Sequence, residues 1–195
     1  MEVWTNKNLI RVLKENGVAV MPTDTIYGIV ARAEDEAAVK RIYDARKRSP
    51  EKPCIILIGG VEDLEKFSIN LTEAQKDLLQ EYWPSYAESS AGKSRPVSVV
   101  LDCPDDSFEY LHRGTKTLAF RLPAQVDLQK LLKETGPLIA PSANLEGLDP
   151  AKTIDEAKKY FGDLVDLYID GGIIEGKASK VIKLHRDGSM SIIRG

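Results

Sequence analysis

Short apolar runs alternate with amphipathic stretches along most of this chain, and that alternation restricts the fold more than any single motif does. Leu9, Ile10, Val12 and Leu13 recur at helical spacing, and Asn16-Gly17 is a helix stop signal. Val18 to Met21 then reads as a buried strand ending in the polar turn Pro22-Thr23-Asp24-Thr25. Residues 35–47 carry Ala38, Val39, Ile42 and Ala45 at helical spacing, and Ser49-Pro50 breaks that helix. Cys54 to Ile58 is a continuous apolar run, the pattern of a central strand. Thr72 with Gln75 forms a capping box for a helix reaching Tyr82, and Thr153 with Glu156 forms a second one for a helix to Phe161. Val97–Leu101, Thr117–Leu122, Pro137–Ala140, Val165–Ile169, Val181–Leu184 and Met190–Ile193 read as further strands, and Val126–Leu132 as a helix. Asp187-Gly188 marks a hairpin between the last two strands. Strands and helices bury their apolar faces against each other, so this order predicts an α/β fold with a mixed sheet flanked by helices. No repeat or linker divides the chain, so 1–195 is expected to be a single domain.

One segment departs from the alternation. Ser85 to Arg95, SYAESSAGKSR, is rich in Ser, Ala and Gly and has no apolar period, which predicts a mobile surface loop. Gly92-Lys93-Ser94 within it matches the end of a P-loop. The upstream glycine and the flanking strand and helix are missing, so it is not read as one.

Charge and cysteine usage exclude several function classes. The net charge is −3 and the sequence pI about 5.5, whereas general nucleic-acid binders carry a basic excess. Any anion site must therefore be a local concentration of Lys and Arg. Cys54 and Cys103 lie far apart, each beside a strand-like run, as buried small hydrophobes do. His112 and His185 are isolated, and no His/Cys spacing resembles a zinc site. Lys7, Arg11, Lys14 and Glu15 interrupt the first twenty residues, and no apolar run reaches the length of a membrane span, so the expected compartment is the cytoplasm.

Four segments could carry chemistry, and each has a structural alternative. The first, Pro22 to Gly28, follows a strand, where α/β sheets bind ligands, and could equally be a plain turn. Arg46-Lys47-Arg48 with Lys52 is either a solvated basic helix end or a phosphate clamp, for which Arg is the better-suited side chain. In the strand Thr117–Leu122, Thr117 and Arg121 share one face. A charge at Arg121 next to Ala119-Phe120 needs a partner, and a bound carboxylate or an internal Asp or Glu would serve. Pro141-Ser142-Ala143-Asn144 is either an Asx-type turn or an anion cradle. Ser179 and Arg194 add a hydroxyl and a cation near the C-terminus. Cations without an obvious base suit phosphoryl or nucleotidyl transfer, which proceeds by positioning and charge neutralisation.

Taken in order, these segments resemble the YrdC/Sua5 family of threonylcarbamoyl-AMP synthases, and the likeness runs over essentially the whole chain. The motifs that carry it are PTDTIYG at 22–28, RKRSPEKP at 46–53, TLAFRLP at 117–123, APSAN at 140–144, SKVIKL at 179–184 and IIRG at 192–195. The resemblance implies a twisted sheet enclosing a deep, positively charged cavity. It implies a nucleotidyltransferase that joins L-threonine, bicarbonate and ATP into threonylcarbamoyl-AMP and pyrophosphate. Thr23, Arg121 and Ser179 would hold threonine; Arg48, Lys52, Thr117, Ser142, Asn144 and Arg194 would hold ATP; Arg46 and Arg48 would be the catalytic cations. Mg²⁺ would arrive with the triphosphate rather than in a cage of protein ligands. The chain resembles the short form, whose product passes to a separate transferase that modifies tRNA.

This sequence also departs from the family pattern. Arg46 replaces the usual Lys, Lys180 stands in the usual S-T-V element, Glu146 replaces the second Ser of SANxSG, and 85–95 interrupts the region between Trp83-Pro84 and Pro96. If Glu146 pointed inward it would repel phosphate. Two other readings follow. One is a carbamoyl-adenylate-forming relative, whose domain normally sits in larger chains with zinc-finger segments. The other is a non-catalytic paralogue that binds nucleotide or RNA. Binding of tRNA or double-stranded RNA is the weaker expectation, given the acidic pI and the lack of aromatic-basic stripes.

Overall fold

The computed structural model describes residues 2–83 and 96–195, so the loop expected at 85–95 lies outside the described residues. The helices are α1 (Lys7–Lys14), α2 (Glu36–Arg46), α3 (Glu73–Tyr82), α4 (Glu109–His112), α5 (Val126–Thr135) and α6 (Ile154–Phe161). The strands are β1 (Ala19–Pro22), β2 (Tyr27–Arg32), β3 (Ile55–Leu57), β4 (Val97–Asp102), β5 (Thr117–Arg121), β6 (Leu138–Ile139), β7 (Leu167–Tyr168), β8 (Lys180–Leu184) and β9 (Met190–Arg194). They form one mixed sheet in the order β7-β1-β2-β6-β3-β5-β4-β8-β9. The pairs β1/β7, β3/β5 and β4/β8 are parallel and the others antiparallel. Among the described residues, no helix is long and apolar enough to cross a membrane.

Local chemistry accounts for the helix ends. Asn6 caps α1 by accepting from the backbone N–H groups of Asn8 and Leu9, and Asn16 leaves the helix at a φ of 61°. Asp35 caps α2 through Ala38 N at 2.7 Å. The Thr72–Gln75 capping box forms in both directions, at 3.2 and 3.0 Å. At Thr153 only half of the expected box forms. Thr153 accepts from Glu156 N, but the Glu156 carboxylate takes Lys152 N at 2.7 Å instead of returning to its own cap.

One strand is absent from the sequence reading. β2 pairs with β1 over Tyr27–Pro22 to Val30–Ala19, and both strands are buried on both faces. With no polar face there is no period-2 signal, and Gly28 lowers strand propensity further. The hairpin makes Thr23–Ile26 a tight turn, closed by Thr23 N donating to Ile26 O at 3.0 Å.

Alternation sorts the strand residues into two cores. Val20, Ile29 and Ile56 pack on one side with Ile42, Phe67 and Phe120. Met21, Val30 and Leu57 pack on the other with Leu9, Leu13, Leu128 and Leu132. Each such fully buried side chain stabilises the fold by about 1.5–3 kcal/mol in transfer terms. β5 shows how the core places a site. Leu118 and Phe120 are buried in the first core, and that leaves Thr117, Ala119 and Arg121 facing a cavity.

Candidate anion-binding site

The cavity has a volume of about 680 Å³. Its walls come from the β1–β2 turn, the end of α2 with the segment leading to β3, the inward face of β5, the turn after β6, and the segment entering β8 with Arg194 of β9. Its described lining residues include Arg46, Arg48, Arg121 and Arg194 and no carboxylate. The β1–β2 hairpin and the 140–144 turn are stitched together by Ile29 N donating to Pro141 O and Ala143 N donating to Tyr27 O, at 3.0 and 2.9 Å. Gly28 sits in this seam, where a Cβ would come within 2.9 Å of the Thr23 methyl.

Arg121 has an internal partner. Its Nη2 lies 2.8 Å from Asp24 Oδ1, with side-chain exposures of only 4% and 2%. The contact is one of charge rather than a directed hydrogen bond. Asp24 Oδ1 and Arg121 Nε have no hydrogen-bond partner among the described residues. Arg121 Nη1 also reaches Ser179 Oγ at 3.5 Å, and that hydroxyl lies 2.8 Å from Ser98 Oγ. Arg194 donates Nε and Nη2 to the Ser179 carbonyl at 3.2 and 2.8 Å. Ser179 thus ties two arginines into one wall. Burial and the nearby Arg121 charge pull the Arg194 guanidinium below its ordinary pKa.

Arg46, 2% exposed, organises the opposite wall. Its Nε donates to Asn144 O at 3.1 Å, and its Nη2 donates to Asn144 Oδ1 and Ser142 Oγ at 3.1 and 3.3 Å. Ser142 Oγ donates to Asn144 Oδ1 at 2.6 Å, while Asn144 Nδ2 donates to Leu145 O and Leu148 O. Asn144 therefore spends its amide on the turn that presents Ser142. Burial lowers the Arg46 pKa and the like charge of Arg48 adds to it, while Cys54, Glu146 and Tyr43 oppose the shift.

Arg48 borders the cavity, folded onto its own loop through Nε to Lys52 O and Nη2 to Pro53 O, at 3.0 and 3.1 Å. Lys52 is not among the described lining residues. Its Nζ meets Glu146 Oε1 at 2.5 Å. Thr23 Oγ1 donates to Ile26 O at 2.7 Å, and Thr117 Oγ1 donates to Thr115 Oγ1 at 3.1 Å. Lys180 points away from the cavity, because its neighbours Ser179 and Val181 line it. The sequence reading missed Asp24, Ser98 and Thr115 as site residues. Asp24 lay inside the first motif, but nothing local linked it to Arg121. Cys54, read as a core residue, also borders the cavity, whereas Cys103 is fully buried. His112 is structural: its Nδ1 accepts from Gly114 N at 3.1 Å. Arg113 stacks on the Tyr43 ring at 4.0 Å.

A mixed sheet whose strand ends and turns converge on one cavity lined by four arginines and several hydroxyls defines an α/β protein with a cation-lined pocket where such sheets commonly hold ligands. The family model for Sua5, YciO and YrdC, described as "Telomere recombination", matches residues 11–195, and the chain belongs to that family. The threonylcarbamoyl-AMP synthase of Bacillus subtilis (strain 168) is 34% identical over 164 residues, which cover 83% of this chain and 44% of that protein. The Escherichia coli O6:H1 threonylcarbamoyl-AMP synthase is 30% identical over 156 residues, covering 78% of this chain and 77% of that one. The crystal structure of Pyrococcus abyssi Sua5 complexed with L-threonine superposes with a TM-score of 0.82 at 29% identity, over 100% of this chain and 54% of that chain. The chain therefore spans about half the length of two of these relatives and most of the third.

Proposed function

We propose that this protein is a threonylcarbamoyl-AMP synthase that forms its product from L-threonine, bicarbonate and ATP. The observation that carries the reading is a convergence. Thr23, Arg46, Arg48, Thr117, Arg121, Ser142, Asn144, Ser179 and Arg194 come from six separate stretches of sequence and border one cavity. Lys52 alone of the expected residues stands outside that lining.

In this reading the wall of Thr23, Arg121 and Ser179 holds threonine. Arg194, anchored on the Ser179 carbonyl, stands where the threonine wall meets the nucleotide. The threonine amine adds to CO₂ drawn from bicarbonate and loses a proton to give a carbamate. A carbamate oxygen then attacks the α-phosphorus of ATP, the bond to the β-phosphate oxygen breaks, and pyrophosphate leaves. Mg²⁺ enters with the triphosphate as part of the substrate. Charge develops on the α-phosphate and the leaving group, where Arg48 and Arg194 supply preorganised donors. Arg46 acts by holding the Ser142–Asn144 turn in place. The walls exclude water from a product that water would hydrolyse. The product then goes to a separate transferase that modifies tRNA.

The test is pyrophosphate release from protein incubated with ATP, Mg²⁺, bicarbonate and each amino acid in turn. Release should require both threonine and bicarbonate, and Arg48→Ala should lower it by about 10²-fold. ATP binding without release for any amino acid would overturn the reading.

A further inference from the structure

The Glu146 carboxylate reaches across to the loop after α2 and takes a donor on each oxygen. Its Oε2 accepts from Ser49 N at 2.6 Å, and its Oε1 accepts from Lys52 Nζ at 2.5 Å. One backbone N–H and one ammonium, each on a separate oxygen, form the donor set that recognises a phosphate group. The loop that carries these donors is already shaped. Lys47 is left-handed at a φ of 49°, Lys52 N donates to Ser49 O at 3.3 Å, and Arg48 clips the loop shut through the carbonyls of Lys52 and Pro53. Arg48 and Pro53, which flank the Ser49–Lys52 segment, and Asn144 and Leu148, which flank Glu146, line the cavity, while Ser49, Lys52 and Glu146 lie just outside that lining.

We propose that Glu146 is an internal anion occupying a phosphate position at the rim, which an incoming polyphosphate takes over together with Lys52. The inference rests on the reading above only in taking polyphosphate as the ligand. The side chain can leave without disturbing the fold. Glu146 is held in place by its backbone, whose N–H donates to Arg46 O at 2.9 Å, while the side chain is 27% exposed and that of Lys52 is 61% exposed. Lys52 and the Ser49 N–H hold the carboxyl below its usual pKa, so it is ionised at neutral pH. Expelling it exchanges one anion for another on the same donors. Glu146 therefore weakens polyphosphate binding and speeds release of the leaving group, and Lys52 becomes a ligand only once Glu146 is displaced.

The experiment is calorimetric titration with inorganic pyrophosphate and Mg²⁺, without threonine, on wild type, Glu146→Gln, Lys52→Gln and the double variant. Glu146→Gln should bind pyrophosphate about tenfold more tightly, the order expected from removing one like charge near a partly screened phosphate. That gain should largely vanish in the Lys52→Gln background. Glu146→Ser, which shortens the side chain as well as neutralising it, should shift affinity in the same direction. Unchanged or weaker binding in both Glu146 variants would make the contact a structural latch and overturn the proposal, as would an equal gain with Lys52 absent. Tighter pyrophosphate binding without threonine-dependent release would leave this inference standing and remove the synthase reading.

Discussion

The buried Arg121–Asp24 pair makes a quantitative demand on stability. Asp24→Asn preserves the side-chain shape but leaves the Arg121 guanidinium, 4% exposed, facing Ser179 Oγ at 3.5 Å as its remaining described contact. Breaking a buried pair from one side costs about 3–5 kcal/mol, because the surviving charge is left uncompensated. The 2.8 Å contact is not a directed hydrogen bond, so the lower end applies, about 3 kcal/mol. For a chain of this size that lowers the thermal midpoint by roughly 6–12 °C. Replacing both residues, Asp24→Asn with Arg121→Met, removes the stranded charge and should recover most of the loss. Urea and thermal unfolding followed by circular dichroism on the two single variants and the double variant close the cycle. A single variant within about 0.5 kcal/mol of wild type would refute the reasoning, and so would a double variant whose loss equals the sum of the singles.

Three further outcomes follow from the same geometry. Gly176 packs so closely on the β1–β2 turn that a Cβ would overlap the Thr25 carbonyl oxygen; Gly176→Ala should displace the segment entering β8 and weaken threonine binding by about tenfold or more, read by calorimetry. Arg46→Lys loses the forked contact with Asn144 and Ser142, and should raise the KM for ATP by about tenfold while leaving the KM for threonine nearly unchanged. Asp166 bridges Arg41 and Val18 N, and its carboxyl is held below its usual pKa chiefly by Arg41. A depressed folded-state pKa adds stability above the ordinary value of about 3.9, and that stability is lost as pH falls through the folded value. Asp166→Asn should therefore flatten the acid limb of a pH–stability curve and cost about 1 kcal/mol at neutral pH, since the pair is 42–43% exposed.

Most of the architecture was legible in the linear sequence, because helices and half-buried strands announce themselves within a few residues. α1 and α2 carry their apolar periods and stop signals in plain view, α3 its capping box, and β5 shows its two faces by alternation. β2 escaped because burial on both faces erases the alternation. The site motifs were legible as candidates for the same local reason: hydroxyls, glycine and arginine gathered at the ends of strand-like runs. Their partners were not. Whether Arg121 met a ligand or an internal carboxylate was open from the sequence, and so was whether Glu146 faced inward.

The sequence alone determined the α/β class, the order of the motifs and the placing of the cationic residues at strand and helix ends, because all of these are written in short-range spacing. The tertiary structure alone decided which charges are already spent. Asp24 meets Arg121, and Glu146 reaches back 97 residues to Ser49 N and 94 to Lys52. Pairings at that separation depend on which strands become neighbours in the sheet, and no local periodicity carries that information.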